Sequence, residues 1–368
     1  MLRRSLFVPA TALLALLAPL RAGVEDSLKV LAATGREGAG NEAASAAWAK
    51  VVAEGPRALP ALLAMVGNGG SISDNWLRLA GDAIVDATLR SRQPLPLSEM
   101  ESFLKDTGRT AAARQLAFDL IAKADPTIAG RIEPGLANDP VQELRRGAVQ
   151  RLIADAKSKT DGEAKTAYLH ALDAVRDEDQ THVIADALKK LGVTVDLPKH
   201  FGFLMQWNVI GPFDNTERKG FAEVFPPERE TRPDAEYDGK KGKVKWQPFT
   251  SKDEMGKLDF NKPFGSLKEV TAYATTTFDS PAERAAELRL GCKNGWKVWL
   301  NGKLLFSRDE YHRGAQMDQY TMKCRLKKGA NTVLVKCCQN EQTEQWTVEW
   351  EFQLRVCDST GTAILAAK

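Results

Sequence analysis

The sequence has few of the residues that enzymes most often use for catalysis. Histidine occurs four times in 368 residues, and the GxSxG, HExxH, GxxxxGK[ST] and GxGxxG motifs of common hydrolases and nucleotide-binding enzymes are missing. His170 and His182 are predicted to lie on helices without other metal-ligand residue types at suitable spacing. We therefore expect a protein without catalytic machinery.

Cysteine is also scarce, and it is confined to the last part of the chain. No CxxC spacing typical of zinc sites occurs, and neighbouring Cys337 and Cys338 would point to opposite faces of a strand. We expect most cysteines to be small buried side chains. One or two disulfides with a leftover thiol are the alternative for an exported chain. The five residues are Cys292, Cys324, Cys337, Cys338 and Cys357.

Neither sign of charge is in excess. The 51 basic side chains are interspersed with 48 acidic ones, which gives a net charge of +3 and argues against nucleic acid as a partner. An apolar fraction of 43% and a charged fraction of 27% are typical of globular proteins and not of disordered or membrane-embedded ones. Single cores usually stop growing at roughly 250 to 300 residues, so this length predicts two domains.

The one long apolar run stands at the amino terminus. Two arginines precede residues 6–20, which are apolar, interrupted by prolines and followed by Arg21. A membrane anchor needs about 20 unbroken apolar residues. Residues 1–23 are therefore predicted to be a signal peptide, cleaved near Ala22. We expect an extracytoplasmic protein, periplasmic or secreted, that is not inserted in the membrane after cleavage.

Residues 24–197 have the composition and spacing of helices. They are rich in Ala, Leu, Glu, Arg and Lys, with apolar residues at helical intervals. Three segments align on Arg78, Arg114 and Arg146, at successive offsets of 36 and 32 residues. In each copy, small or apolar residues recur in one stripe along a helix: Ala80, Gly81, Ile84, Val85 and Thr88; Leu116, Ala117, Leu120, Ile121 and Ala124; Ala148, Val149, Leu152, Ile153 and Ala156.

A stripe repeated about every thirty residues is typical of stacked helix pairs. Asp125-Pro126 and Asp139-Pro140 combine a capping side chain with a proline, which indicates helix starts. The segment NDPVQELRRGAVQRLI resembles a HEAT repeat, with Asp139, Pro140, Arg145 and Arg146 at the turn and basic positions of that pattern. The resemblance covers residues 73–191 and implies a helical repeat array, although an ordinary Ala- and Leu-rich bundle gives similar stripes.

After residue 198 the sequence turns to aromatic and β-branched residues separated by turn signals. Alternation in residues 347–356 predicts a strand with Trp350 buried and with Gln353 and Arg355 facing water. Asn301-Gly302 predicts a tight hairpin. Other strands are predicted at residues 204–210, 271–278, 286–292, 297–300, 304–307, 321–326 and 332–338. Residues 201–368 are thus predicted to form an antiparallel β-sandwich.

Several segments of this region resemble a known sequence pattern. WNVIGPFDN, FPPE, VTAYATTTF, GWKVWLNGKLLF and LKKGANTVLVK resemble the galactose-binding-like β-sandwich found in secreted bacterial proteins and appended to glycoside hydrolases. The match spans residues 203–364. The resemblance implies a jelly-roll module of a kind that often binds sugars and sometimes holds a structural calcium ion.

The loop at residues 308–319 is the predicted working surface, because loops at the end of a rigid sandwich often carry ligand contacts. Its donors, acceptors and ring suit the hydroxyls and apolar face of a sugar, although polar loop residues without a ligand are ordinary. Candidate calcium ligands are Asp309, Glu310 and Asp318. Trp296 and Trp346 are expected to be exposed, and Trp207, Trp299 and Trp350 to fill the core. The candidate ligand-binding residues are Arg308, Tyr311, His312, Arg313, Asp318, Trp296 and Trp346.

Three functions follow from this reading. The leading hypothesis is a non-catalytic extracytoplasmic binding or scaffolding protein whose sandwich binds a glycan or an envelope protein. No cofactor is expected, apart from a structural calcium ion. A glycan-active hydrolase with an unrecognised site, expected in the groove between the domains, is the second hypothesis. Glu349 and Glu351, two residues apart on one strand, are a carboxylate pair that such an enzyme could use, although they are expected to face water. A purely structural envelope component is the third.

Overall fold

The computed structural model describes residues 17–230, 232 and 234–367, with side chains from residue 23 onward. Residues 1–16 of the predicted signal peptide lie outside the described residues. The chain divides into two compact units, the first formed by residues up to 160 together with 173–175, and the second by residues 161–172 and 176–368. Helices come first and antiparallel sheets follow, so the predicted order of a helical part and a strand part is confirmed.

The first unit is built from helices. The predicted apolar stripes fall inside its longer helices, and every stripe residue is buried except Ala124 and Leu152, which are half-buried. Gly81 permits close packing, because a Cβ atom there would lie 3.1 Å from Leu120 Cδ1. The helices are α1 (Leu17–Ala32), α2 (Asn41–Glu54), α3 (Leu59–Met65), α4 (Ser71–Ser91), α5 (Leu97–Lys105), α6 (Ala111–Ala124), α7 (Pro126–Ile132) and α8 (Gln142–Lys157).

A buried ion pair joins α6 to the turn before α8. The guanidinium of Arg114 donates to both carboxylate oxygens of Asp139, at 2.8 and 2.5 Å, and its Nε donates to the Leu104 carbonyl. Asp139 Oδ1 also accepts from the Val141 amide at 2.8 Å. The acidic residue that the sequence placed in a turn therefore fixes that turn to the neighbouring helix, with both charges satisfied away from water.

Helix α7 begins at the cap predicted from Asp125-Pro126. The Asp125 carboxylate accepts from the amides of Thr127 (2.9 Å) and Ile128 (3.3 Å). We expect Asp125→Ala to lower the free energy of unfolding of the helical unit by about 1 kcal/mol, because two amides of the first turn lose their acceptor. Urea denaturation followed by circular dichroism measures this loss. Asp125→Asn keeps an acceptor and should stay near the wild type, and equal losses for both variants would contradict the capping role.

The second unit begins with helices and continues as strands. Helices α9 (Asp161–Ala174), α10 (Glu178–Lys190) and α11 (Leu197–Phe201) precede the first strand, and the short helices α12 (Pro226–Arg229) and α13 (Asn261–Phe264) lie between strands. The change from helix to strand falls between the end of α11 at Phe201 and the start of β1 at Gln206. The compact second unit already includes most of the helical residues from 161 onward. Within the described residues, no helix is both long and apolar enough to cross a membrane.

The strands form a six-stranded sheet, a four-stranded sheet and a two-stranded ribbon. Their orders are β4-β1-β6-β11-β8-β9, β10-β7-β12-β5 and β2-β3, and every described strand pairing is antiparallel. The strands are β1 (Gln206–Asp214), β2 (Glu236–Gly239), β3 (Gly242–Lys245), β4 (Gln247–Thr250), β5 (Lys257–Asp259), β6 (Val270–Ser280), β7 (Arg284–Cys292), β8 (Gly295–Leu300), β9 (Lys303–Arg308), β10 (Tyr320–Leu326), β11 (Gly329–Gln339) and β12 (Glu351–Cys357).

The predicted hairpin at Asn301-Gly302 is confirmed and joins β8 to β9. Both residues have positive φ, 53° for Asn301 and 78° for Gly302, as a tight two-residue turn requires. The Asn301 side chain donates to Asn331 Oδ1 at 3.0 Å and accepts from the Thr332 amide at 3.0 Å. The hairpin is thereby tied to the neighbouring strand β11.

One apolar core is shared by the two larger sheets. Val209, Ala274 and Val335 contribute from the six-stranded sheet, and Leu288 and Leu354 from the four-stranded sheet. This sharing explains the alternation seen in the sequence, because each strand turns one set of side chains toward the opposite sheet.

The cysteines are buried as expected, except for half-buried Cys324, and all five are free thiols. Cys292 Sγ and Cys337 Sγ lie 3.9 Å apart inside the shared core. Burial raises the pKa of the Cys338 and Cys357 thiols to about 11, which keeps them protonated near neutral pH.

The last strand departs from its prediction in two ways. Strand β12 begins at Glu351, and residues 345–347 form a 3₁₀ turn. Gln353 and Arg355 were expected to face water, but only 6% and 1% of their surfaces are exposed. The reason is tertiary: Arg355 donates to the carbonyls of Phe201 and Gly361, whose segments cover this face of the sheet.

Candidate functional site

Loops from four strand ends meet at one end of the second unit. They comprise residues 214–221 after β1, 293–294 between β7 and β8, 309–319 between β9 and β10, and 340–350 between β11 and β12. We call these the rim loops. Contacts between them gather a group of polar and aromatic side chains, called here the rim cluster: Asn215, Arg218, Tyr311, His312, Asn340 and Trp346.

Buried amide side chains form the floor beneath this cluster. Gln339 is fully buried, and its Nε2 donates to the carbonyls of Thr347 (3.0 Å) and Glu349 (3.3 Å). Its Oε1 accepts from Asn294 Nδ2 at 3.2 Å and from the Asn340 amide at 3.1 Å. Every hydrogen-bonding group of this side chain is therefore used, and the loop that carries Trp346 is held in one conformation.

Tyr311 lies between the floor and Arg218. Its hydroxyl accepts from Asn215 Nδ2 at 3.3 Å, and Asn215 also donates to the Gln339 carbonyl at 2.9 Å. The Arg218 guanidinium carbon stands 5.2 Å from the centre of the tyrosine ring. Burial raises the pKa of Tyr311 well above its usual range, so the phenol stays neutral.

His312 and Trp346 form the outer part of the cluster. His312 Nε2 lies 2.9 Å from Asn340 Oδ1, and the His312 main-chain amide donates to the Lys293 carbonyl. The imidazole and indole rings meet edge to face with centroids 5.2 Å apart. Trp346 is 57% exposed, which is the largest exposure, together with that of Leu79, among the large apolar side chains of the described chain. The cluster thus presents an indole at the surface of a fixed loop.

The backbone is strained at the same place. Glu217, Arg218, Glu269 and His312 all adopt positive φ, between 52° and 62°, a region that favours glycine. Glu269 belongs to this region because its carboxylate accepts from the Glu217 amide at 3.2 Å and its own amide donates to the Asn340 carbonyl. Such conformations cost roughly 1 kcal/mol or more each and tend to collect at functional sites.

Three of the predicted ligand-binding residues, Tyr311, His312 and Trp346, are brought together in the rim cluster. Arg313 follows His312 and is exposed, with its Nε 3.4 Å from a Glu310 oxygen. The Arg308 guanidinium lies over the Phe306 ring of strand β9, at 5.2 Å.

Trp296 does not have the exposed position that we expected. It is fully buried, with ring centroids 4.8 Å from Tyr320 and 5.9 Å from Phe306. The physical reason is that strand β8 begins at Gly295, one residue before Trp296. Trp296 is therefore an inward-facing strand residue. Trp207, Trp299 and Trp350 are buried as expected.

Asp318 is part of a buried charge network. Its carboxylate accepts from Arg355 at 2.6 Å through both oxygens and from Arg289 Nη1 at 2.7 Å. Two cations already neutralise it, an arrangement unsuited to a calcium ligand. Within the described residues, no group of three or more His, Cys, Asp or Glu side chains is placed to hold a metal ion, so Asp309, Glu310 and Asp318 do not assemble into one.

The two glutamates considered for hydrolysis lie in different local environments. Glu349 precedes strand β12, so the expectation that it shares a strand face with Glu351 is wrong. Glu349 forms an ion pair with Lys293, whereas Glu351 lies 3.0 Å from Lys257 Nζ. Each carboxylate therefore has its own lysine partner.

The amide floor was missed in the sequence. Gln339 is the last residue of β11. Asn215, Asn294 and Asn340 each follow or precede a strand, where such residues usually indicate ordinary turns. A signal did exist in the QN pair that ends β11, because both residues directly follow a buried apolar run. Their convergence depends on three separate segments of the chain and cannot be inferred from local patterns.

Comparisons with known proteins establish no relationship. No family model matches the chain, and no curated protein matches it. Partial likenesses exist to an FMN-binding β-glucuronidase from Facaelibacterium prausnitzii (12% identity, 41% of this chain and 21% of that one, TM-score 0.24) and to a β-glucosidase from Kluyveromyces marxianus in complex with glucose (15% identity, 43% and 16%, TM-score 0.23). This chain thus spans 21% or less of the length of these two structures. At such TM-scores neither a shared fold nor a shared activity follows.

Proposed function

We propose that this chain is a non-catalytic extracytoplasmic binding protein whose second unit binds a glycan at the rim cluster. The observation that carries the proposal is Trp346, 57% exposed on a loop that Gln339 holds in place. An exposed indole offers a flat apolar surface for the C–H face of a pyranose ring, and the exposed Arg218 and Glu341 side chains of the same rim loops carry donors and acceptors that suit its hydroxyls.

We further infer a galactose-binding-like jelly roll for the strand part and HEAT-like repeats for the helical part. Antiparallel sheets of six and four strands around one core support the first inference. The buried stripes of α4, α6 and α8, together with the Arg114–Asp139 pair at a turn, support the second. The helical unit then supplies a further contact surface, for which an envelope protein is the proposed partner.

The proposed location outside the cytoplasm depends on the predicted signal peptide at residues 1–23. A basic start followed by a short apolar run is the pattern that supports export. Glycans of the cell envelope or the surroundings are accessible there, so location and ligand are mutually consistent.

The observations favour binding over hydrolysis. Glycoside hydrolysis needs a pair of carboxyl groups on either side of the scissile bond, one of them protonated. Glu349 instead contacts Lys293 and Glu351 contacts Lys257, so each is held in an ion pair of its own.

Replacing Trp346 is expected to abolish most of the binding. A glycan array probed with the full chain from residue 23 onward identifies the best glycan, and calorimetry then compares variants. We expect Trp346→Ala to weaken binding about tenfold or more (~1.4 kcal/mol), because the stacking surface is lost. Its circular dichroism and melting temperature should stay near those of the wild type, since the indole is exposed.

Phe306→Ala is the matched control, because it removes another exposed aromatic ring, 42% exposed, from strand β9 of the same unit. Its affinity should equal that of the wild type. An array without any bound glycan, or unchanged affinity in Trp346→Ala, would overturn the proposal. Release of reducing ends would establish a hydrolase, and cross-linking to an envelope protein without glycan binding would establish a scaffold.

A further inference from the structure

The rim loops carry four lysine or arginine side chains, and each lies beside a carboxylate. The guanidinium of Arg218 reaches Glu341 at 2.5 Å, and that of Arg313 lies 3.4 Å from Glu310. The remaining pairs are Lys219 with Glu217 at 2.5 Å, and Lys293 with Glu349. No lysine or arginine in these loops is therefore left to attract an anion.

Carboxylates outnumber cations in the same loops. Asp309 and Glu344 carry further negative charge there, and neither lies within 4 Å of a basic group among the described contacts. A ligand carboxylate or sulfate would have to displace Glu341 from Arg218 or Glu310 from Arg313 while approaching these additional acids. Like charges close together oppose binding.

The aromatic part of the cluster has the opposite preference. Stacking on Trp346 needs an apolar sugar face, and the exposed indole brings no positive charge that would favour an anionic sugar. On the basis of the proposed glycan site, we propose that the rim cluster selects neutral pyranosides and discriminates against glycans that carry carboxylate, sulfate or phosphate groups.

Matched pairs of polysaccharides test this selectivity. β-1,4-Linked oligomers of mannose and mannuronate, and of glucose and glucuronate, have the same ring configuration and linkage with and without the carboxylate. Calorimetry with the full chain from residue 23 onward should give at least about tenfold tighter binding for the neutral member of the recognised pair. Its Kd should change less than about twofold between roughly 0.05 and 0.5 M NaCl, since no ion pair is screened.

Tighter binding of the uronate member, with an affinity that falls as salt rises, would overturn the inference and leave the glycan site standing. If none of the oligomers binds and the array also retains no glycan, the proposed function fails and the inference fails with it. The two failures are thereby distinguishable.

A variant that removes one carboxylate provides a second test of the selectivity. Glu341→Gln leaves Arg218 without its carboxylate, so uronate binding at low salt should rise about fivefold relative to neutral binding. Glu283→Gln is the matched control, because it releases Arg325 from a 2.6 Å exposed pair on strand β10. The control should leave the ratio unchanged. An identical ratio in both variants would contradict the role given to the paired charges.

Discussion

Asp318→Ala is expected to lower the free energy of unfolding of the strand-containing unit by about 3–5 kcal/mol. The Asp318 carboxylate stands between two guanidinium groups, 2.6 Å from Arg355 and 2.7 Å from Arg289. The side chains of Arg355 and Arg289 are only 2% and 15% exposed. Alanine would leave buried Arg355 without a carboxylate partner and Arg289 with Glu287 alone, which is far more unfavourable than losing an exposed pair.

The hydrogen bonds of Arg355 also explain why Asp318→Ala should destabilise more than the loop that carries Asp318. Arg355 Nη1 donates to the carbonyls of Phe201 and Gly361, each at 3.0 Å, so this side chain joins helix α11, strand β12 and the C-terminal segment. Asp318 fixes the orientation of that guanidinium through two further hydrogen bonds. Removing the carboxylate therefore loosens three segments that otherwise pack as one.

The Asp318 carboxylate also makes the free energy of unfolding depend on pH, and its pKa fixes the direction of that dependence. Burial alone would raise the pKa of Asp318, but hydrogen bonds and charges from Arg355 and Arg289 outweigh it and hold the pKa below its ordinary value. Because the folded-state pKa is the lower one, this contribution is fully present above about pH 4 and is lost as the pH falls through the folded-state pKa. The difference between wild type and Asp318→Ala should therefore shrink in acid.

Urea denaturation at neutral pH and at several acidic pH values measures both effects. Asp309→Ala is the matched control, since it removes an exposed carboxylate from the same loop and should change stability by no more than about 0.5 kcal/mol. Comparable small losses in both variants would show that the buried network contributes little. A difference that grows toward acid pH would contradict the sign of the pKa shift.

Sequence patterns predicted the elements whose burial is set locally. The stripes on α4, α6 and α8 and the alternation along β6, β7 and β11 follow from helical and strand periodicity, and they are buried in the structure. Strands β2 to β5 were missed because they are three or four residues long and mostly polar, as in the GKVK segment of β3. Strands this short and polar show no detectable alternation of apolar and polar residues.

Positions covered by distant segments could not be predicted in this way. Arg355 occupies an alternate polar position of β12 and was expected in water, yet helix α11 and the C-terminal segment cover it. Trp346 was predicted near a strand end and His312 in a loop, but the floor beneath them comes from Asn215, Asn294 and Gln339 in separate parts of the chain. Hydrogen bonds between residues this far apart in the chain leave no local pattern.

A second buried charge lies on the outer face of the six-stranded sheet. Lys336 of β11 has a side chain with 0% exposure, and its Nζ donates to Glu228 Oε1 at 2.7 Å and to the carbonyls of Phe221 and Glu223. The Tyr273 hydroxyl donates to the same glutamate oxygen at 2.5 Å. Burial lowers the pKa of Lys336 below its ordinary value, and contact with Glu228 opposes that shift.

These contacts hold the segment around α12 against the sheet. Lys336 Nζ also lies 5.2 Å from the Phe225 ring and 5.6 Å from the Tyr273 ring, so the ammonium is enclosed by aromatic groups on the sides that lack hydrogen bonds. Phe225 in turn stacks on Phe213 at 4.9 Å. The Lys336–Glu228 ion pair therefore connects the segment around α12, which follows the rim loop at residues 214–221, with strand β11 of the six-stranded sheet.

We expect Lys336→Met and Glu228→Gln to differ sharply from their combination. Lys336→Met alone leaves the buried carboxylate with Tyr273 as its remaining side-chain partner, and Glu228→Gln alone leaves a buried ammonium without a counter-charge, so each should lower the free energy of unfolding by about 3–5 kcal/mol. The double variant contains no buried charge and should lose at least about 2 kcal/mol less than the sum of the single variants. Urea denaturation of all four proteins gives this coupling directly. Losses that simply add would mean that the two side chains stabilise the fold independently, because an interaction between buried opposite charges requires the second substitution to relieve the effect of the first.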